Sequence, residues 1–323
     1  MKATPLLTGW TCRHLGNSAP GTPVTLPHDA MLAEERSQTS AGGTNTGWFA
    51  GYDYLYEKHF TPDAAQAAQC AVLEFEGVYH NAEVHLNGEK IASCPYGYSD
   101  FYADLTGKLL PGRDNVLEVI AHNADQPNSR WYSGAGIYRP VTLWTAPARH
   151  ILPDGVQVRT LSIDPAEVEV TVQTTASGAV AVAILDDEQT VATAQAESNG
   201  KAVLRVQIPN AKLWSPDSPA LYRCRAMFGD DCAETTFGVR TLSWGDDGFL
   251  LNGKRVILLG ACVHHDHGVL GACCYPEAEE RKVRLLQKVG YNAVRCAHNP
   301  CSKAFLDACD RLGMLVMDEY ADM

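Results

Sequence analysis

Apolar and polar residues alternate in short runs along the first part of the chain. Cys70–Glu76 alternates and is rich in strand formers, and Gly77 breaks it. Ala82–Leu86 is a second short run, closed by Asn87-Gly88; both positions tolerate positive φ, so the pair predicts a hairpin turn. Val116–Ala121 and Pro140–Thr145 predict further strands. Short strands separated by turn residues across 1–147 predict a jelly-roll sandwich. Pro147–Pro153 reads as a linker. Beyond it, Val156–Leu161, Val168–Thr174, Ala179–Leu185, Val203–Ile208 and Leu221–Met227 predict an Ig-like β-sandwich over 148–243. There is no Cys–Trp–Cys arrangement of the antibody kind, so "Ig-like" refers to architecture alone.

The pattern changes near Leu251. Val256–Leu259 is a continuous apolar run, as in a strand buried on both faces. Pro276–Val289 has helical spacing, with Val283, Leu286 and Val289 on one face and Gly290 as a stop. Asn292–Cys296 predicts a second buried strand. Ser302 can cap a helix whose inner face carries Phe305, Leu306, Cys309 and Leu312, with Gly313 ending it. Met314–Met317 predicts a third strand. Strand–helix–strand–helix–strand implies a parallel sheet. Over 244–323 this predicts the first three strands of a (β/α)8 TIM barrel, with helices on one side of the sheet. The fold expected is therefore mainly β: jelly roll, Ig-like sandwich, and the start of a barrel.

Composition narrows the function classes. The 323 residues are 46% hydrophobic and 20% charged, with a formal net charge of −12. That is ordinary for a globular protein of two to three domains. No basic stripe supports nucleic-acid binding. No run approaches the roughly 20 apolar residues that span a bilayer, so no membrane partner is expected. The N-terminus, Met1-Lys2-Ala3-Thr4-Pro5, is followed by no apolar stretch of about 7–15 residues. The eleven cysteines form no C-x-x-C pair and read as reduced, packed thiols. A cytoplasmic location is expected. There is no G-x-S-x-G, no P-loop and no G-x-G-x-x-G, so serine-nucleophile chemistry has no support and no cofactor is expected.

In a β/α barrel, active sites gather at the C-terminal ends of the strands. After the first apolar run comes Cys262-Val263-His264-His265-Asp266-His267-Gly268. After the second comes Arg295-Cys296-Ala297-His298-Asn299-Pro300, and after the third Asp318-Glu319. Three successive strand ends thus carry His, Asp, Arg, Asn and Glu, a poor set for packing and a good one for gripping a polar ligand. Plainer readings remain open for each. The 262–267 cluster could be a metal site, but it is too compact for the usual tetrahedral zinc spacing, so a ligand site is favoured, then a solvated loop, and no metal is expected. Arg295 alone fits a structural ion pair, His298 alone a hydrogen-bonded structural histidine, and Asp318-Glu319 a loop cap. Trp131, Tyr132 and Tyr138 fit a sugar-stacking surface and a sandwich core equally well.

These segments also carry a resemblance. Asn292-Ala293-Val294-Arg295-Cys296-Ala297-His298-Asn299-Pro300, with Phe305-Leu306, Asp310, Gly313 and Met314–Met317, resembles the signature of glycoside hydrolase family 2. Asn299 stands where many members have Tyr. Ser133-Gly134-Ala135-Gly136-Ile137-Tyr138-Arg139 and Thr25-Leu26-Pro27-His28-Asp29 resemble motifs of its sugar-binding domain. Leu213-Trp214-Ser215-Pro216 and Phe237-Gly238-Val239-Arg240 resemble the end of its Ig-like domain, and Phe249–Gly260 with His264-His265-Asp266-His267-Gly268 the start of its barrel. The motifs stand in the family's order along essentially the whole chain.

The resemblance implies a retaining β-glycosidase acting on β-linked oligosaccharides or glycosides. The form of the 264–268 segment points to a β-galactosidase, with a β-glucuronidase as the alternative. Such enzymes use two glutamates about 5–5.5 Å apart, one as acid/base and one as nucleophile. In the family these follow barrel strands four and seven, so both are expected beyond Met323 and the chain alone is expected to be inactive. By motif position, His264, Asp266, His298 and Asn299 are expected to bind substrate, and Arg295 to orient the nucleophile and keep it ionised. Family members commonly assemble, so a homo-oligomer is an option for the full-length protein. Two further readings compete with an N-terminal enzyme portion: a non-catalytic carbohydrate-binding protein, and a subunit completed by a second chain.

Overall fold

The computed structural model describes residues 1–320; residues 321–323, the end of the 244–323 stretch, lie outside the described residues. The first sandwich has two antiparallel sheets. One orders Lys2–Pro5, Val141–Ala146, Cys70–Phe75 and Phe101–Asp104. The other orders Thr22–Val24, Trp10–His14, Tyr54–Phe60, Asn115–Ala121, Ala82–Leu86 and Glu89–Cys94. Alternation decides which side chains meet between them: Leu117, Val119 and Ala121 point inward and are fully buried with Leu73, Phe75 and Val141. Asn87 and Gly88 take φ of 53° and 83° at the predicted hairpin, the handedness that matches strand twist. A five-residue helix, Ala64–Ala68, lies between two of the strands and is capped by Asp63.

The second sandwich is built on unusually long strands. Ala166–Asp186 is one continuous element where the sequence pattern suggested two strands. Its first half pairs with Ile151–Ile163 and its second with Tyr222–Phe228, while Gln189–Gln207 follows it along both halves. The register slips between Gln173 and Ser177, so this segment bends without ending. The strand Ile151–Ile163 also takes up part of the expected linker, including Pro153. Val168, Val170, Val172, Val180, Val182 and Ile184 from the bent strand supply much of the second core.

After a small meander of Leu242–Gly245, Gly248–Leu251 and Lys254–Arg255, a parallel sheet begins. Its order is Gly260–Val263, Ala293–Cys296, Leu315–Met317. The helices Pro276–Lys288 and Lys303–Leu312 connect the strands. The expected first strand is displaced: Val256–Leu259 is not a buried strand, and Ile257, Leu258 and Leu259 are 68%, 45% and 54% exposed. Pairing begins at Gly260, where an added Cβ would come 2.0 Å from the carbonyl oxygen of Ala293; the close approach of the strands there admits only glycine. Val289, expected on the inner helix face, is 68% exposed because the helix ends at Lys288. The Ser302 cap is as read: its side chain accepts from the Phe305 amide, and Gly313 closes the helix at φ 83°.

Three contacts fix the sheet against the sandwiches. Arg139, buried, donates from Nη2 to the Pro300 carbonyl and from Nη1 to the Tyr98 carbonyl, each at 2.8 Å. Trp214 Nε1 donates to the Asp310 carbonyl at 2.8 Å. Lys303 meets Glu74 and Asp100 of the first sandwich and Asp154 of the second.

Candidate active site

Parallel strands align their C-terminal ends, and alternation puts every second side chain on the face away from the helices. Arg295, on the second strand, meets Glu319, just past the end of the third. Arg295 Nε donates to Glu319 Oε1 at 2.6 Å, and Nη1 approaches Cys262 Sγ at 3.7 Å on the first strand. Just past the second strand, His298 Nδ1 is 2.9 Å from Glu319 Oε2. Burial works to raise the Glu319 carboxyl, but the Arg295 and His298 contacts outweigh it and hold the group below its ordinary range.

His264 follows the first strand, and its ring centroid is 6.2 Å from that of His298. Trp131 reaches in from the first sandwich and lies 5.4 Å from the His264 ring and 5.5 Å from the His298 ring. Its Nε1 is fixed by Tyr98 Oη at 2.9 Å. Burial lowers the His264 pKa, so this imidazole is neutral at pH 7. A neutral imidazole both donates and accepts, which suits sugar hydroxyls. Beside this group the first sandwich forms a cleft of about 540 Å³, lined by Tyr79, His80, Tyr96, Asn128 and Trp131, with His298 at its edge.

The remaining expected residues fall differently. Asp266 is half-buried in the same loop, and its charge acts on His264 and His265. Asn299 is buried and does not line the open cleft. It is 4% exposed, its amide nitrogen has no partner, and it lines a small void of about 20 Å³ with Glu279 and Cys296. Tyr138 is fully buried and Tyr132 donates to Asp29 Oδ2 at 2.7 Å, so both are structural while Trp131 belongs to the site. His265 is likewise structural: it packs between Tyr98 and Tyr138, and burial pushes its pKa down to about 4. The sequence placed Glu319 at a strand end, with a loop cap as the plainer reading, but gave it no named role; its contact with Arg295 and His298 comes from the structure. For Asp29, which gathers the Met31, Ala135 and Ala272 amides, the signal was the Leu26-Pro27-His28-Asp29 motif.

A parallel sheet presenting a polar cluster at its strand ends, with an aromatic wall from a β-sandwich, is an arrangement suited to holding a polar ligand that has an apolar face. Comparison with known proteins gives the family. The glycosyl hydrolase 2 galactose-binding domain-like model matches residues 10–149, the glycosyl hydrolases family 2 model 153–240, and the family 2 TIM barrel domain model 243–322. The chain belongs to glycosyl hydrolase family 2. It is 38% identical over 321 residues to the beta-galactosidase BoGH2A of Bacteroides ovatus, covering 93% of this chain and 38% of the relative. A putative beta-glucuronidase of Formosa agariphila is 32% identical, with 93% and 30% covered. The crystal structure of a family 2 member from Bacteroides cellulosilyticus superposes at a TM-score of 0.92 with 34% identity, covering 100% of this chain and 46% of that one. The chain thus spans less than half the length of these relatives.

Proposed function

We propose that this chain is the N-terminal portion of a retaining β-galactosidase and binds the terminal β-linked sugar of a glycoside or oligosaccharide. In this reading the chain divides into 1–147, 148–243 and 244–323. His264, His298 and Asp266 contact the sugar, Trp131 stacks on it, and Arg295 orients a carboxylate nucleophile. The observation that carries the reading is the convergence of Trp131, His264 and His298 beside the Arg295–Glu319 pair. The Arg295 guanidinium is already neutralised by Glu319, which favours an uncharged galactoside over a uronate.

The test is calorimetric titration of the 323-residue chain with methyl β-galactoside and methyl β-glucuronide. Galactoside binding is expected to be the tighter. Trp131→Ala is expected to weaken it about tenfold, or about 1.4 kcal/mol, in line with a stacking contact. Tighter glucuronide binding would replace the first reading by the second. Galactoside binding indifferent to Trp131→Ala and His264→Ala would place the sugar elsewhere.

A further inference from the structure

Cys296 ends the second barrel strand, Cys301 lies in the loop that follows it, and Asp318 follows the third strand. One ligand atom from each lies within 4.8 Å of the others. Alternation along the second strand turns Cys296 to the side opposite Arg295; Cys296 and Cys301 share a small void with His264 there. Cys296 is buried, Cys301 half-buried and Asp318 exposed, which leaves a route in from solvent on one side. The Asp318 carboxylate is held in place, since Oδ1 accepts from the Cys301 amide at 3.0 Å. A support of that kind, outside the ligands themselves, is what orients a metal-binding carboxylate.

We propose that Cys296, Cys301 and Asp318 form a binding site for a soft or borderline divalent cation of the zinc class, with water completing its tetrahedron. Two sulfurs and one carboxylate oxygen match that ion's ligand preference, and three protein ligands leave one open position. Zn–S bonds of about 2.3 Å and Zn–O bonds of about 2.0–2.2 Å place tetrahedral ligands under 4 Å apart, so a small closure of the existing group suffices. Thiols bind such an ion as thiolates, and an ordinary thiol is protonated near neutrality. Binding therefore releases two thiol protons, one each from Cys296 and Cys301, as two Zn–S bonds form. The ion would tie the ends of the second and third strands together behind the face that carries Arg295.

The experiment titrates the reduced, metal-free 323-residue chain with Zn²⁺ against a chromophoric chelator, and with Cd²⁺ to follow thiolate charge-transfer absorption. One equivalent is expected to bind, with release of about two protons and a rise in melting temperature. Cys301→Ser and Asp318→Asn, both at accessible positions, should each weaken binding more than about tenfold, since even outer-shell changes cost that much. Cys232→Ser, at an exposed cysteine in the second sandwich, should leave it unchanged. No stoichiometric binding, or binding that survives both Cys301→Ser and Asp318→Asn, would overturn the assignment.

Discussion

Glu279 is 2% exposed, yet it is ionised. Burial alone raises its pKa, but His267, Lys282 and Ser302 together outweigh burial and bring it from 4.5 to about 2. Ser302 Oγ donates at 2.9 Å; His267 Nε2 and Lys282 Nζ lie at 3.4 and 3.3 Å, close enough for charge pairing though poorly aligned for hydrogen bonds. His265 is also shifted downward, from 6.5 to about 4, because burial disfavours its charged form. Both groups bind fewer protons when folded than when unfolded in these ranges, so both make stability fall as pH falls. The His265 contribution is intact above about pH 6.5 and is lost towards pH 4; the Glu279 contribution is intact above about pH 4.5 and is lost towards pH 2. Each shift corresponds to about 3 kcal/mol at most. Urea titrations across this pH range should show two successive losses. Glu279→Gln should cost about 3 kcal/mol at pH 7, because it leaves the Lys282 ammonium without its counter-charge, and should flatten the lower step. An unchanged lower step would remove Glu279 from this account.

At the scale of elements, two glycines that end helices or their turns separate conformational from steric cost. Gly290 has φ of 91° with nothing within 4 Å of an added Cβ, whereas Gly313 has φ of 83° and its Cβ would meet the Pro216 carbonyl oxygen at 2.3 Å. Gly290→Ala should cost about 1–2 kcal/mol, the left-handed penalty alone. Gly313→Ala should cost clearly more, since it also pushes the helix off the second sandwich; equal urea midpoints would contradict that contact. Both glycines, the Ser302 cap and the Asn87-Gly88 hairpin were legible because their signals are local. Val256–Leu259 misled because its apolar character does not reveal which residues pair. That is fixed by Gly260 fitting against Ala293, a contact between segments far apart in sequence. The Thr175–Gly178 segment looked like a turn for a similar reason: pairing with Gln189–Gln207 carries it through. At the site, His264, Arg295 and His298 were legible as residues at strand ends. Trp131 was left evenly between stacking surface and core, because its role depends on how the first sandwich packs on the sheet. The burial of Asn299 was hidden, since its motif position is the same whichever way the side chain faces.

At the scale of the whole chain, the proposed sugar site would need a pair of carboxyl groups to cleave what it holds. Retaining hydrolysis needs two carboxyl groups about 5–5.5 Å apart, one to protonate the leaving oxygen and one to attack the anomeric carbon. Glu319 is a carboxylate in contact with the cluster, and both its oxygens are engaged, Oε1 by Arg295 and Oε2 by His298. Its carboxyl is held below the ordinary range, so it carries no proton to donate near neutrality. Its neighbour Asp318 is engaged elsewhere, accepting from the Cys301 amide. General acid catalysis alone is worth about 10²–10⁴ in rate, and the nucleophilic route needs a second free carboxylate besides. The 323-residue chain is therefore expected to give no turnover of nitrophenyl β-galactoside or nitrophenyl β-glucuronide above the buffer rate. Glu319→Gln is the decisive companion measurement. Turnover by the unmodified chain that this substitution abolishes would move a catalytic carboxylate onto the third strand end. Turnover that persists through it would require an acid and a nucleophile elsewhere in these residues.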